Sequence, residues 1–244
     1  NGFNLVSNQF STHYFFENKN TFYNFIRNLS ENCKIGGHII GTCYDGKRVF
    51  NMLERKKEGE SVFIMNENDT KMWDMKKLYN KSTFPDEESS LGYSIDVYQE
   101  SINTTNTEYL VNFDFFTRVL ENYGFVPITT DEAHRMGFPS AIGSFETLFD
   151  NMKEEIESGK IDKADVGKAL NMSNEEKTIS FLNNYYIFKK IRNSNAKEIT
   201  DRILNITEEQ TKLDDNETTD LQQKVKPTKK RIVKKYKKKL KLPK

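Results

Sequence analysis

The segment Gln9-Phe10-Ser11-Thr12-His13-Tyr14-Phe15-Phe16-Glu17 gathers aromatic rings, an imidazole and an amide into one short stretch. Flat rings can clamp a planar base while the polar groups read its edge by hydrogen bonds. The segment falls where a strand gives way to a loop, at the edge of an expected open α/β sheet, where such folds bind ligands. The same residues also fit a plain core, with Phe10, Phe15 and Phe16 packed inward and His13 bonded to a backbone carbonyl. Other chemistries find less support. Gly36-Gly37 precedes a strand, whereas a phosphate-binding loop follows a strand and opens a helix, so the pair reads as a helix cap. His13, His38 and His134 with Cys33 and Cys43 show no metal-ligand spacing. A Cys/His nucleophile is allowed by composition and supported by no pattern. Glu108, taken alone, reads as a surface acid at a strand start.

Hydrophobic periodicity supplies the elements that must hold these residues. Phe3–Val6 predicts a short buried strand, and Lys19–Lys34, with Phe22, Phe25, Ile26, Leu29 and Cys33 at helical spacing, an amphipathic helix. His38–Cys43 follows as a strand, which completes a βαβ unit. Asp45-Gly46 turns into a second amphipathic stretch with Val49, Phe50, Met52 and Leu53 on its apolar side. Ser61–Met65 and Gly92–Ser101 read as strands, the second alternating Tyr93, Ile95 and Val97 against Ser94, Asp96 and Tyr98 in the manner of a half-exposed antiparallel strand. Glu108–Val111 is short and apolar after its acid. Asn112–Tyr123 is helical and closed by Gly124, Phe125–Thr129 is a strand, Gly143–Glu155 a helix, and Thr178–Ile191 the last strand with its approach.

Composition limits the rest. The chain has 244 residues, 36% hydrophobic and 30% charged, with 18 Phe and 11 Tyr, which is room for one aromatic-rich core and solvated appendages. The net charge of +1 conceals segregation: residues 221–244 hold 12 of the 37 basic residues and no acid, and the remainder carries −11. From about residue 194 the sequence becomes polar and charged and predicts a disordered tail. Two cysteines make no disulfide framework and suit a reducing compartment. No apolar run approaches membrane-spanning length. The chain opens on Asn1 with a strand already under way, so the start of the domain is expected upstream.

The motifs taken together resemble the messenger-RNA cap guanine-N7 methyltransferases, class I enzymes that use S-adenosylmethionine. The resemblance runs through Gln9, Phe10, His13, Tyr14, Phe16 and Glu17, then Arg27-Asn28-Leu29-Ser30-Glu31-Asn32, then Gly36-Gly37-His38-Ile39-Ile40-Gly41-Thr42. It continues in Glu108-Tyr109-Leu110-Val111. Asp45-Gly46 and Gly92-Tyr93-Ser94-Ile95 through Tyr98-Gln99-Glu100-Ser101-Ile102 are closest in pattern to the capping enzymes of large DNA viruses. The likeness covers about residues 1–192.

It implies an α/β fold: the C-terminal part of a Rossmann-like class I methyltransferase sheet, mostly parallel with an antiparallel last strand. A small antiparallel β insertion and a disordered basic tail complete it, with residues 1–193 in the domain and 194–244 in the tail. The implied reaction moves a methyl group from S-adenosylmethionine to N7 of the cap guanine. His13 and Glu108 would contact the guanine edge, with Phe10, Tyr44 and the late aromatic Phe149 around it. Gln9 and Tyr14 would line the donor pocket, no metal is implied, and the donor's glycine loop would lie upstream. The implied partners are the capped 5′ end of an mRNA and triphosphatase and guanylyltransferase domains in the same polypeptide or complex. Lysines in 224–244 would hold RNA phosphates or serve as a solubilising or targeting tail. The setting would be a viral replication site or virion, or a nucleus for a cellular enzyme. Two other readings stay open: a non-catalytic cap-binding or stimulatory module, and a class I methyltransferase with another substrate.

Overall fold

Strand β1 (Phe3–Gln9) pairs in parallel with β2 (Cys33–Tyr44), and α1 (Lys19–Asn32) connects them. This is the βαβ unit that the periodicity predicts. The computed structural model describes residues 2–205. Asn18 caps α1 by accepting from the Thr21 N–H, and Phe22, Tyr23, Phe25, Ile26 and Leu29 form its buried stripe.

Strand β9 (Asn183–Lys190) lies antiparallel along β2. Its other edge pairs, again antiparallel, with β7 (Phe125–Pro127) and β8 (Ile142–Ser144). Among the described residues, four strands of this sheet therefore run one way and β9 alone runs against them, the α/β sheet with an antiparallel last strand that the resemblance implies. Being central, β9 is covered on both faces, which accounts for its unbroken run Tyr185-Tyr186-Ile187-Phe188. Tyr186 and Phe188 meet Phe116 on α3 (Phe113–Asn122), while Tyr185 and Ile187 pack with Ala133 on α4 (Thr130–Arg135) and Phe145 on α5 (Phe145–Glu157). Between α2 (Gly46–Met52) and α3, the strands β3 (Ser61–Met65), β4 (Lys71–Lys77), β5 (Ser94–Gln99) and β6 (Thr104–Tyr109) form an antiparallel meander. Its inner face, with Trp73, Met75, Ile95 and Val97, covers Val49, Phe50 and Leu53.

Several sequence expectations change. Phe3 and Leu5 are 65% and 53% exposed rather than buried, because β1 is the outermost strand of its sheet among the described residues. The glycine pair does not cap α1. The helix ends at Cys33, which is already extended, and Gly36, at φ 78°, lies inside β2 where its pairing with β1 shifts register. Strands β4 and β6 were hidden by polar sequences, KMWDMKK and TTNTEY. The approach to β9 is α6 (Asn174–Ser180), whose Ser173 and Glu176 form a capping box. The boundary expected at 194 moves. Ala196 and Thr200 are buried, Thr200 shares a 2.8 Å hydroxyl hydrogen bond with Tyr123, and the first compact unit runs to Arg202. The basic run at 224–244 lies outside the described residues.

Lys190, 4% exposed, replaces the glycine cap. Its ammonium donates to Ser30 O at 2.5 Å and Cys33 O at 2.8 Å, carbonyls at the negative end of α1. Lys190→Met keeps the bulk and removes the donors, leaving two buried carbonyls short of a partner at a cost on the order of 1–3 kcal/mol. The expected outcome is a lower urea midpoint with an unchanged m-value; an unchanged midpoint would show that α1 does not depend on this cap.

Candidate functional site

At the end of β1 the chain turns sharply. Phe10 adopts φ 49°, a left-handed conformation that bulky residues rarely take, and its N–H donates to Thr42 O at 2.8 Å. The turn directs the Phe10 ring outward, 55% exposed and edge-on to Phe145. A 3-10 turn over Thr12–Phe16 then sends His13 and Phe16 inward and leaves Tyr14 at the surface. Three contacts fix this turn. The Thr12 and Tyr186 hydroxyls share a 2.7 Å hydrogen bond, Phe15 stacks on Phe25 with centroids 4.0 Å apart, and the Gly92 N–H donates to Phe16 O at 2.9 Å. The last of these joins the loop to the insertion sheet.

Residues from both sheets enclose a cavity of about 330 Å³. Phe10, His13 and Tyr14 come from the loop, Tyr44 from the end of β2, and Glu108 from β6. Five of the seven residues expected at the site thus share one cavity. Gln9 does not line it: alternation along β1 turns its side chain to the other face of the sheet. There its carbonyl accepts from the Thr42 hydroxyl at 2.8 Å, and it borders a second, largely apolar cavity of about 380 Å³ with Phe145 and Tyr185. Phe149 is also elsewhere. One helical turn beyond Phe145, it packs on Phe181 with the ammonium groups of Lys153 and Lys177 over its ring. The expectation for Phe149 is corrected accordingly: Ile179 and Asn183 take the late position at the cavity.

Gln99, Ile102 and Asn106 complete the lining and were not expected. The signal for Gln99 was present, since the alternation Tyr93, Ile95, Val97 continues to it on the same face. Asn106 sits two residues before Glu108 and shares its face, but the polar sequence of β6 concealed the strand.

His13 and Glu108 are 4% and 8% exposed, with Nε2 and Oε2 3.6 Å apart, beyond hydrogen-bond range. Among the described residues, neither nitrogen of His13, nor Oε2 of Glu108, has a hydrogen-bond partner. Burial lowers the imidazole to about 4 and pushes the carboxyl up to about 7, so the contact is no ion pair: both groups resist charge in this enclosure. Burial, then the charge of Glu108, raises the Tyr14 phenol. Such a site suits a neutral, planar, hydrogen-bonding ligand that supplies the missing partners. Among the described residues no group of three or more His, Cys, Asp or Glu is placed to hold a metal, and no helix is long and apolar enough to cross a membrane.

Residues 1–191 match the mRNA (guanine-N(7))-methyltransferase domain. A probable mRNA-capping enzyme of Acanthamoeba polyphaga mimivirus is 24% identical over 221 residues, covering 84% of this chain and 18% of that protein. The chain therefore spans less than a fifth of that relative. Among solved structures, a S-adenosylmethionine-dependent methyltransferase of Clostridium acetobutylicum aligns with a TM-score of 0.38 at 9% identity, over 77% of this chain and 58% of the other. The CcbJ methyltransferase of Streptomyces caelestis aligns with a TM-score of 0.40 at 9% identity, over 78% and 58%.

The buried pair has a signature in stability. Glu108 keeps its proton in the folded chain up to about pH 7, whereas the unfolded carboxyl releases it near 4.5, so its contribution is lost as pH rises through that window. His13 behaves oppositely: the unfolded imidazole is protonated below 6.5 and the folded one only below about 4, so stability is lost as pH falls through that window. Between about pH 4.5 and 6.5 the two slopes oppose each other. Relative to wild type, the urea midpoint of Glu108→Gln should climb with pH across this range, and that of His13→Gln should fall. Parallel profiles for all three proteins would mean that the pair is not held neutral.

Proposed function

The chain belongs to the mRNA (guanine-N(7))-methyltransferase domain family, and from that membership and the cavity we propose that it methylates N7 of the guanine at the 5′ cap of mRNA. The observation that carries this reading is the buried, unpartnered His13–Glu108 pair flanked by Phe10 and Tyr14. Guanine offers two adjacent donors, N1–H and the N2 amino group, to a carboxylate. It offers one acceptor, O6, to a neutral imidazole N–H. Glu108 and His13 supply these complements at the two ends of one edge. Adenine presents an amino donor where guanine has O6 and would set two donors against each other.

Guanine N7 carries an in-plane lone pair at neutral pH, so no general base is needed to create the nucleophile. S-adenosylmethionine, the donor that the family implies, supplies an electrophilic methyl group on a sulfonium. Two residues of this chain suit the reactive end of that donor. Tyr14 is 43% exposed at the cavity mouth, and Gln9, across the strand edge, commits one amide hydrogen to Ser7. The work of the protein is then positional. Holding N7 in line for displacement removes up to about 7–11 kcal/mol from the barrier of a bimolecular step. As the carboxylate, Glu108 also offsets the positive charge that grows on the ring. Its elevated titration near 7 fits this role, because the donors of a bound guanine favour the carboxylate.

The substrate is the capped 5′ end of an RNA, and the likeness to a mimivirus protein supports a viral replication site as the setting. Triphosphatase and guanylyltransferase domains in the same polypeptide or complex would make the GpppN end that this site consumes.

In the complete polypeptide, His13→Ala and Glu108→Ala should each lower turnover on GpppN-capped RNA by about a hundredfold or more, the loss typical of removing a group that orients or stabilises the transition state. Circular dichroism should be unchanged. Normal turnover in both variants would sink the assignment.

A further inference from the structure

The Tyr44 hydroxyl accepts two hydrogen bonds, from Trp73 Nε1 at 3.2 Å and from Gln99 Nε2 at 3.3 Å. An indole N–H can only donate, and a phenol oxygen offers two lone pairs and one proton. With both lone pairs engaged, that proton has one direction left. Tyr44 and Gln99 both line the His13–Glu108 cavity, while Trp73 is 1% exposed in the core behind them. Trp73 and Gln99 are direct cross-strand partners on β4 and β5, so the two donors that hold Tyr44 arrive from one rigid sheet. Burial pushes the phenol up to about 12, and the proton stays on at neutral pH.

We propose that Tyr44 is a hydrogen-bond donor to the nucleoside bound in this cavity, with Trp73 and Gln99 as positioning residues that aim its proton. The inference rests on the cap reading above. There, His13 serves guanine O6, Glu108 serves N1–H and the N2 amino group, and N7 stays bare to receive the methyl group. The acceptors left on a cap guanosine include ring N3 and the ribose 2′ oxygen, and Tyr44 donates to one of these two.

The test uses kcat and KM for GpppN-capped RNA in the complete polypeptide. Tyr44→Phe removes only the donor, and KM should rise about tenfold with kcat nearly unchanged, the effect of one net hydrogen bond. Gln99→Glu replaces a donor with an acceptor and should turn the Tyr44 proton toward itself, reproducing the Tyr44→Phe defect. The double variant Tyr44→Phe/Gln99→Glu should be no worse than Tyr44→Phe, which separates reorientation of the proton from simple repulsion by the added charge. Caps built on 3-deazaguanosine or 2′-deoxyguanosine identify the acceptor, because the Tyr44→Phe penalty should vanish for one of them. An unchanged KM in Tyr44→Phe or in Gln99→Glu, or a double variant worse than Tyr44→Phe, overturns the proposal. So does a penalty that survives in both analogues. If His13→Ala and Glu108→Ala still abolish turnover, the cap reading survives that failure; if they too are fully active, both readings fall.

Discussion

A buried hydrogen bond between the hydroxyls of Thr12 and Tyr186 fastens the loop after β1 to the central strand of the main sheet, and the site is built outward from it. The Asn8 amide donates to the same Thr12 oxygen at 3.0 Å, so strand, loop and sheet meet at one atom. The bond requires Tyr186 to reach across β2, which it does over Gly41. A Cβ at that position would lie 2.2 Å from the Tyr186 hydroxyl, so any side chain there would displace the tether. With Thr12 fixed, His13 is forced inward. The left-handed turn at Phe10 then places that ring at the mouth instead of in the core.

The cost of this arrangement falls on the two groups that the loop and β6 bring together. Withdrawing an imidazole and a carboxyl from water at a separation of 3.6 Å, with no hydrogen bond between them, leaves polar atoms unsatisfied and suppresses the charge of both. An ion pair there would consume the donor and acceptor that the pair could offer a bound ligand. Holding both groups neutral and slightly too far apart keeps them available, and a ligand that bridges them recovers the lost hydrogen-bond energy on binding. The cavity therefore selects for complementarity of edge before it selects for shape.

The sequence named residues that meet in one cavity more readily than the elements that bring them together. The run Gln9 to Glu17 and the acid of Glu108-Tyr109-Leu110-Val111 stand far apart in the chain, and only the meander between them explains how His13 and Glu108 meet. That meander was half legible. β3 and β5 read as strands, whereas β4 and β6 carry lysines, threonines and asparagine among their residues and look like loops until their partners are known. Phe149 shows the opposite failure. It has the residue type of a base-packing aromatic, but the pitch of α5 aims Phe145 toward Phe10 and Phe149 toward Phe181. Periodicity gives the face of a helix reliably, but not the neighbour which that face will meet.

The insertion sheet has two tasks that its pleat makes inseparable. Along β5 the inward positions read Ile95, Val97, Gln99, and along β6 the same face carries Glu108 and Asn106, so one surface passes from core to ligand site without a change of element. Trp73 marks the junction: its ring is core, and its N–H is the support of a cavity wall. Groups mounted on paired strands are held more rigidly than groups on loops, which suits the proposed methyl transfer, whose rate would depend on alignment. The same continuity means that core packing behind Trp73 cannot loosen without moving Tyr44 and Gln99. On the proposed reading, fidelity of recognition is thus tied to the packing of a hydrophobic core behind the cavity wall.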